Sequence, residues 1–147
     1  MKDPLWMLLE EKGRAVHTVA PETPVVDAVN AMDTHRVGAL LVVEHGEPIG
    51  IFTERDVLRR VVAPGLSPAS TPVGDVMTRE VIAVNATTSV EEAMAIVTER
   101  RCRHLPIMEN DRMTGMISIG DLTRWVTRGQ VFELQQLINY VTDKYPA

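Results

Sequence analysis

Residues 50–60, GIFTERDVLRR, and residues 115–125, GMISIGDLTRW, follow one pattern. In each, a glycine and two apolar residues precede a threonine or serine, and an aspartate follows that hydroxyl residue by three positions. The similarity extends outward to residues 16–62 and 81–127, which align without gaps at a spacing of 65 residues, with twelve identities in 47 positions. A match of this length predicts a duplicated structural unit.

Each copy has the same predicted order of elements, β-α-β-β-α. The strands are indicated by β-branched or continuous apolar runs, and the first helix by apolar residues at helical spacing. The predicted strands are 16–19, 39–43 and 50–52 in the first copy, and 81–84, 105–108 and 115–117 in the second. The helices that close the copies are predicted at 54–62 and 119–127. We therefore expect an α+β fold, in which two small repeats cover each other's bare sheet faces with pseudo-twofold symmetry.

Five segments follow from this pattern. They are an N-terminal helical segment, the first repeat, a proline-containing linker, the second repeat and a C-terminal helix, at residues 1–15, 16–62, 63–80, 81–127 and 128–147. In the C-terminal helix, apolar residues recur at heptad spacing, at Val131, Leu134, Ile138 and Val141. This stripe suits docking against the body of the protein or against a partner.

Composition excludes several classes of protein. The chain has 147 residues, with 15 lysines and arginines against 20 aspartates and glutamates, and this acidic balance argues against nucleic-acid binding. No apolar stretch approaches the ~20 residues of a membrane span, and the N-terminus does not resemble a secretory leader. The single cysteine, Cys102, excludes an internal disulfide, and the four histidines lack metal-ligand spacing. We expect a cytoplasmic protein without a metal site. Since no nucleophile–base pair or phosphate-binding loop is evident, we expect no enzymatic activity.

The two signature stretches, their spacing and the order of elements resemble the CBS-domain family over about residues 12–127. The segment RHLPIMENDRMTGMISIGDL, residues 103–122, is especially close to the second repeat of that family. The resemblance implies a tandem CBS pair, or Bateman module, of the small stand-alone type. Such pairs usually form homodimers, bind adenosine-containing ligands in clefts between the repeats, and regulate a partner protein. The implied ligands are AMP, ADP or ATP, with S-adenosylmethionine and NAD as further candidates, and no cofactor is required.

The resemblance also implies two ligand-binding clefts. An aspartate carboxylate suits the two hydroxyls of a ribose, and a hydroxyl at a helix start suits phosphate oxygens. The preferred cleft comprises Lys12, His17, Thr18, Arg103, His104, Met116, Ser118, Asp121 and Arg124. The second cleft comprises Thr78, Ile82, Ala83, Ile51, Thr53, Asp56 and Arg59. The cleft with Asp121 is preferred as the nucleotide site because it has the basic residues Arg103 and His104. Their counterparts in the first repeat, Gly38 and Ala39, carry no charge.

Other interpretations of these residues stay open. A hydroxyl residue followed three positions later by aspartate is also the pattern of a capping box, which satisfies backbone amides only. Arg59 and Arg124 suit either a phosphate or a surface ion pair with the preceding aspartate. Gly50 and Gly115 would let their strands pass close to a ligand. The alternative function is a structural module that dimerises or binds a partner without any ligand.

Overall fold

A computed structural model describes residues 2–144, with side chains as far as residue 142. The helices and strands in chain order are α1 (Leu5–Lys12), β1 (Thr18–Val19), α2 (Val25–His35), β2 (Ala39–Glu44), β3 (Glu47–Thr53), α3 (Glu54–Asp56, continued by a π-helix at Val57–Val62), α4 (Val73–Val76), β4 (Val84–Asn85), α5 (Val90–Glu99), β5 (His104–Glu109), β6 (Arg112–Ser118) and α6 (Ile119–Lys144). The predicted α+β class and the repeated β-α-β-β-α order are confirmed. The predicted C-terminal segment extends to residue 147, and its last three residues lie outside the described part.

The chain forms two compact units, which are treated separately. Residues 15–83 form the repeat-1 unit, and the remaining described residues, 2–14 and 84–144, form the repeat-2 unit. Each unit contains one three-stranded sheet, ordered β1-β2-β3 or β4-β5-β6, with a parallel first pair and an antiparallel second pair. A register shift occurs at the same place in both antiparallel pairs, after Val42 and after Ile107. The duplication in sequence is therefore a duplication of sheet geometry.

Each unit is completed by the helix that precedes the repeat. The amide of Leu5, at the start of α1, donates to the carbonyl oxygen of Thr88 at 2.8 Å. The amide of Val73, at the start of α4, donates at 2.8 Å to the carbonyl oxygen of Thr23, which is the counterpart of Thr88. Helices α1 and α4 therefore hold equivalent places, although the sequence alignment of the repeats does not include them.

Glycines in β3 and β6 allow these helices to pack against the sheets. A Cβ atom at Gly50 would lie 2.5 Å from the sulfur of Met77 and 2.9 Å from the carbonyl oxygen of Thr78. A Cβ atom at Gly115 would lie 2.6 Å from a methyl carbon of Leu9. The expectation that these glycines make room for a ligand is wrong, because buried side chains of the protein itself fill the space.

The first strands are shorter than the predicted segments 16–19 and 81–84. β1 and β4 contain two residues each and pair only with β2 and β5, at the edges of their sheets. The β-branched residues that suggested longer strands lie before the ladder and have no partner strand in these sheets.

Two helix predictions also differ from the structure. The helix predicted at 119–127 does not end there, because α6 continues to Lys144 as one 26-residue helix. Gly129 lies inside it, where a glycine costs only ~1 kcal/mol relative to alanine and does not by itself end a helix. The helix predicted at 54–62 is α-helical for three residues only and then becomes π-helical. Because of this change, Arg60 rather than Arg59 approaches Asp56.

Candidate functional site

The two signature stretches form capping boxes at the starts of α3 and α6. Thr53 Oγ1 accepts a hydrogen bond from the amide of Asp56 at 3.2 Å, and Asp56 Oδ2 accepts one from the amide of Thr53 at 3.0 Å. Ser118 and Asp121 repeat this reciprocal pair at 3.1 and 2.9 Å. The capping role is therefore present in both units. It uses one acceptor position on Oδ2 of each carboxylate and leaves the other positions for further contacts.

In the repeat-2 unit, two cations bind the Asp121 carboxylate. Lys12 Nζ donates to Oδ2 at 2.5 Å, and the Arg124 guanidinium donates to Oδ1 at 2.6 Å. Burial alone would raise the pKa of Asp121, but the hydrogen bonds from Lys12 and Ser118 outweigh it and hold the pKa of this carboxyl below its usual value. Asp121 is thus an anion that is already surrounded by donors.

In the repeat-1 unit, the Asp56 carboxylate has a different environment. Thr78 Oγ1 donates to Oδ1 at 3.0 Å, and the charged contact comes from Arg60, whose Nε lies 3.7 Å away. The sequence suggested Arg59 for that contact. A π-helix has more residues per turn than an α-helix, so the fourth residue after Asp56 takes the place of the third. Asp56 is only 5% exposed.

Lys12 and Thr78 have corresponding roles in the two units. In the repeat-1 unit, the Thr78 amide donates to the carbonyl oxygen of Ile51 at 2.8 Å, while its hydroxyl donates to Asp56. In the repeat-2 unit, the ammonium of Lys12 donates both to the carbonyl oxygen of Met116, the counterpart of Ile51, and to Asp121. One flexible cation therefore replaces a neutral residue that is fixed by its backbone.

Arg103 and His104 lie at the start of β5 in the repeat-2 unit. The side chain of Arg103 is exposed. The backbone carbonyl oxygen of Arg103 accepts a hydrogen bond from the amide of Ile119 at the start of α6. His104 is partly buried, and its Nδ1 has no hydrogen-bond partner within the described residues. Burial lowers the pKa of His104, and the positive charges of Lys12 and Arg103 lower it further, although Asp121 opposes them. His104 is thus a neutral imidazole near a cluster of cations.

A groove of about 500 Å³ lies beside Asp121 within the repeat-2 unit. It is formed by α1 and α6, and its lining residues are Leu8, Glu11, Lys12, Asp121, Thr123, Arg124, Thr127 and Arg128. Sequence reasoning missed Glu11 and Arg128, which form an ion pair across the groove. Each has an ordinary helical position in the sequence, and only the docking of α1 on α6 brings the two together.

The other predicted residues of the two clefts belong to the repeat-1 unit. His17 and Thr18, assigned to the preferred cleft, lie in this unit, where the ring of His17 stacks on that of His35 at 3.9 Å. Burial, and to a lesser extent His35, lowers the pKa of His17. Ile82 and Ala83 precede β4 outside any strand. A groove of about 460 Å³ in this unit is lined by residues of α2, by residues 36–38 that follow it, and by Glu54 and Val57. Asp56 is not among its lining residues.

Residues 2–144 show neither a cluster of metal ligands nor a membrane-spanning helix. In this part of the chain, no three histidine, cysteine, aspartate or glutamate side chains are placed to hold a metal ion. No helix in the same range is long and apolar enough to cross a membrane.

Comparisons with known proteins agree with this architecture. The model of the CBS domain matches residues 13–63 and 73–128. The CBS domain-containing protein CBSX3, mitochondrial, of Arabidopsis thaliana is 46% identical over 126 residues. That match covers 82% of this chain but 61% of the relative, so the chain spans well under the whole length of that protein.

Solved structures give the same result. The crystal structure of the CBS domain NE2398 has a TM-score of 0.81 and 36% identity, with 85% of this chain and 98% of that chain covered. The CBS domain pair of MJ0100 was solved in complex with 5'-methylthioadenosine and S-adenosyl-L-methionine. Its TM-score is 0.76 over 88% of this chain and 99% of that chain, and at 18% identity it supports the fold alone.

Proposed function

Since the chain belongs to the CBS-domain family and carries two CBS domains, we propose that it is a regulatory module that binds an adenine nucleotide. The binding residues are those of the repeat-2 unit around Asp121. The observation that carries the proposal is an ionised carboxylate, at a helix start, that borders a groove of about 500 Å³ and is flanked by two cations. Small-molecule sites are usually clefts of roughly this volume with a few convergent polar groups.

Asp121 is the proposed ribose ligand. An ionised carboxylate has about four acceptor positions, of which its contacts with Ser118, Lys12 and Arg124 use three. If Lys12 turns away from Oδ2, two positions become available for the two vicinal hydroxyls of a ribose. The flexible four-carbon side chain of Lys12 makes this exchange inexpensive, whereas Thr78 is fixed by its backbone pairing with Ile51.

Lys12, Arg103, His104 and Arg124 are the proposed phosphate ligands. A guanidinium suits bidentate contact with a phosphate, and the ammonium of Lys12, once released from Asp121, is a mobile point charge near the same place. The unpartnered Nδ1 of His104 offers a further donor when the ring is protonated. These charges favour AMP, ADP or ATP over an uncharged nucleoside, with S-adenosylmethionine and NAD as the other candidates.

The Asp56 site is proposed to be the weaker of the two. Its carboxylate is nearly buried and is held by the neutral hydroxyl of Thr78. No counterparts of Arg103 and His104 provide positive charge, since Gly38 and Ala39 stand there. Thr53, Asp56 and Thr78 would therefore suit an adenosine compound with fewer phosphates, and otherwise serve as a helix cap.

The wider role is inferred from the family. Another CBS pair, that of MJ0100, is described in complex with two adenosine compounds, which belong to the ligand class proposed here. We propose that nucleotide binding changes the affinity of the protein for a regulated partner, that the module is a non-catalytic homodimer, and that it acts in the cytoplasm. A fluorescent fusion examined by microscopy tests the compartment, and localisation to an organelle would contradict it.

Thermal unfolding with and without ligand tests the nucleotide proposal. A ligand at a hundred times its Kd stabilises the native state by ~2.7 kcal/mol, so AMP, ADP or ATP should raise the melting temperature of the wild-type protein. Asp121→Asn should lose that shift, because an amide cannot replace the ionised acceptor. The matched control is Asp27→Asn, at an exposed position of α2, which should keep it. If none of AMP, ADP, ATP, S-adenosylmethionine and NAD at millimolar concentration shifts the melting temperature, that result would instead support the ligand-independent interaction module.

A further inference from the structure

The second half of α6 exposes an unusual amount of apolar surface. Seven large apolar side chains between residues 131 and 141 are each 48–64% exposed, namely Val131, Phe132, Leu134, Leu137, Ile138, Tyr140 and Val141. All except Phe132 fall on one half of the helix circumference at 100° per residue. Their exposed surface amounts to roughly 600 Å² per chain, at the upper limit of the patch that a monomer normally leaves in water.

This surface lies outside the CBS domains. The family model ends at residue 128, and the exposed residues begin at Val131. The helix itself is already formed there, because α6 is continuous from Ile119. Its first half is held by Trp125 Nε1, which donates to the Asp3 carboxylate just before α1, and by Arg128, which pairs with Glu11 of α1. Binding of a partner to this surface therefore does not include the unfavourable entropy of nucleating a helix.

The chemistry of the surface fits a second copy of the same helix. Val131 and Ile138 hold one heptad position, and Leu134 and Val141 hold the other. The first heptad, with valine followed by leucine, matches the pattern that favours two-stranded pairing, and the second has valine in place of that leucine. Between residues 130 and 142 the only charged residue is Glu133, which falls beside Tyr140 at the edge of the apolar half and away from the two heptad positions, so two copies meet with little repulsion. A surface of roughly 600 Å² also approaches the ~800 Å² per partner of a standard interface.

A membrane surface fits less well. Helices that lie on membranes carry lysine or arginine on the polar face. The face opposite the stripe carries uncharged polar residues around the single apolar Phe132, namely Gln135, Gln136, Asn139 and Thr142. The absence of basic residues between 130 and 142 also removes the electrostatic term that would attract anionic lipid.

We propose that this stripe, defined as Val131, Leu134, Leu137, Ile138, Tyr140 and Val141, binds the same stripe of a second copy of the chain. The two helices form a symmetric, isologous interface, in which each chain buries one patch. The interface is separate from the nucleotide-binding residues and does not depend on them.

Sedimentation velocity of the full chain, at tens of micromolar, tests the proposal. The wild type should sediment as a dimer of the 16.3 kDa chain. The double variant Leu134→Gln, Ile138→Gln should raise the dimer dissociation constant at least tenfold. Both side chains are exposed, so the fold should survive, and a far-UV circular dichroism spectrum like that of the wild type would verify that. Phe132→Gln is the matched control, since Phe132 is 64% exposed but lies off the stripe, and it should sediment like the wild type.

Disulfide trapping provides a second readout. In a Cys102→Ser background, Ile138→Cys should form a cross-linked dimer under mild oxidation, whereas Gln136→Cys, on the polar face, should not. A monomeric wild type, a dimer unaffected by the double variant, or equal cross-linking at the two positions would overturn the proposal. Loss of nucleotide binding with retention of this dimer would instead concern only the function proposed above.

Discussion

The Nζ atom of Lys12 and the Oδ2 atom of Asp121 are 2.5 Å apart, which connects the last residue of α1 to the first turn of α6. The two residues are 109 positions apart in sequence. Their contact joins the helix that precedes the first repeat to the signature stretch of the second. It therefore links the N-terminal segment both to the stability of the repeat-2 unit and to the proposed ligand site.

The first prediction concerns acid stability. The folded pKa of Asp121 is lowered, so its contribution to stability is complete above the pKa of an unfolded aspartate and is lost as the pH falls through the folded value. Lys12→Met should lower the unfolding free energy at neutral pH by about 1 kcal/mol, a modest figure because the Lys12 side chain is 37% exposed and partly screened.

Urea unfolding at neutral pH and at a pH below the lowered folded pKa of Asp121 measures this effect. The difference between wild type and Lys12→Met should shrink at the lower pH, because a protonated Asp121 no longer attracts the ammonium. Lys2→Met, at an exposed lysine near the N-terminus, serves as the control. A difference that is the same at both pH values would show that the ion pair does not contribute.

The second prediction concerns His104. Its folded pKa is lowered, chiefly by burial, so the neutral ring is favoured, and folding loses stability as the pH falls through the pKa of an unfolded histidine. A bound phosphate would favour the protonated ring and should raise the pKa of His104. Nucleotide affinity should then increase between about pH 8 and about pH 6, where histidine changes its charge.

NMR titration of the histidine ring signals, with and without AMP, measures that change. The signal that is missing in His104→Gln identifies the residue. Calorimetric titration of AMP into His104→Gln at the same pH values gives the part of the pH dependence of affinity that comes from protonation of the phosphate itself. An unchanged pKa on saturation with AMP would place the phosphate away from His104.

The third prediction concerns the glycines under α1 and α4. Gly50→Ala should destabilise the protein more than Gly115→Ala, although both overpack the core, where the usual cost is about 1–3 kcal/mol. A Cβ at Gly50 meets the backbone oxygen of Thr78 at 2.9 Å, which cannot move without breaking its strand pairing. A Cβ at Gly115 meets only the side-chain end of Leu9.

Chemical denaturation of the two variants gives the order directly. Leu9→Ala combined with Gly115→Ala should recover part of the packing conflict, so the double variant should be more stable than the sum of the single changes implies. Equal losses at the two glycines, or strict additivity with Leu9→Ala, would contradict this account of the packing.

The repeat and the order of its elements could be predicted from the sequence, because a duplicated pattern of apolar residues and the paired Thr/Ser–Asp stretches are both local signals. The capping contacts of Thr53 and Ser118 were also local, since they span three positions. The partners of Asp121 were different. Arg124 is near in sequence, but the pairing of Lys12 depends on α1 docking in the unit of the second repeat.

Other features had no sequence signal at this level. The π-helix after Asp56 exchanges Arg59 for Arg60, and nothing in the composition of Val57–Val62 distinguishes it from an ordinary helix. The predicted boundary between a helix at 119–127 and a separate C-terminal helix from residue 128 is wrong, because α6 continues through Gly129, where one glycine has only a modest cost. Propensity is a weak guide wherever tertiary packing decides the outcome.

Calorimetric titration of AMP into the wild type, Asp121→Asn and Asp56→Asn tests the central claim most directly. The two variants make the same chemical change at equivalent capping positions, so general effects on the fold should be similar. We predict binding to the wild type, at least a tenfold loss of affinity in Asp121→Asn, and a smaller change in Asp56→Asn. Equal affinity in all three proteins, or a larger loss in Asp56→Asn, would contradict the assignment of the nucleotide to Asp121.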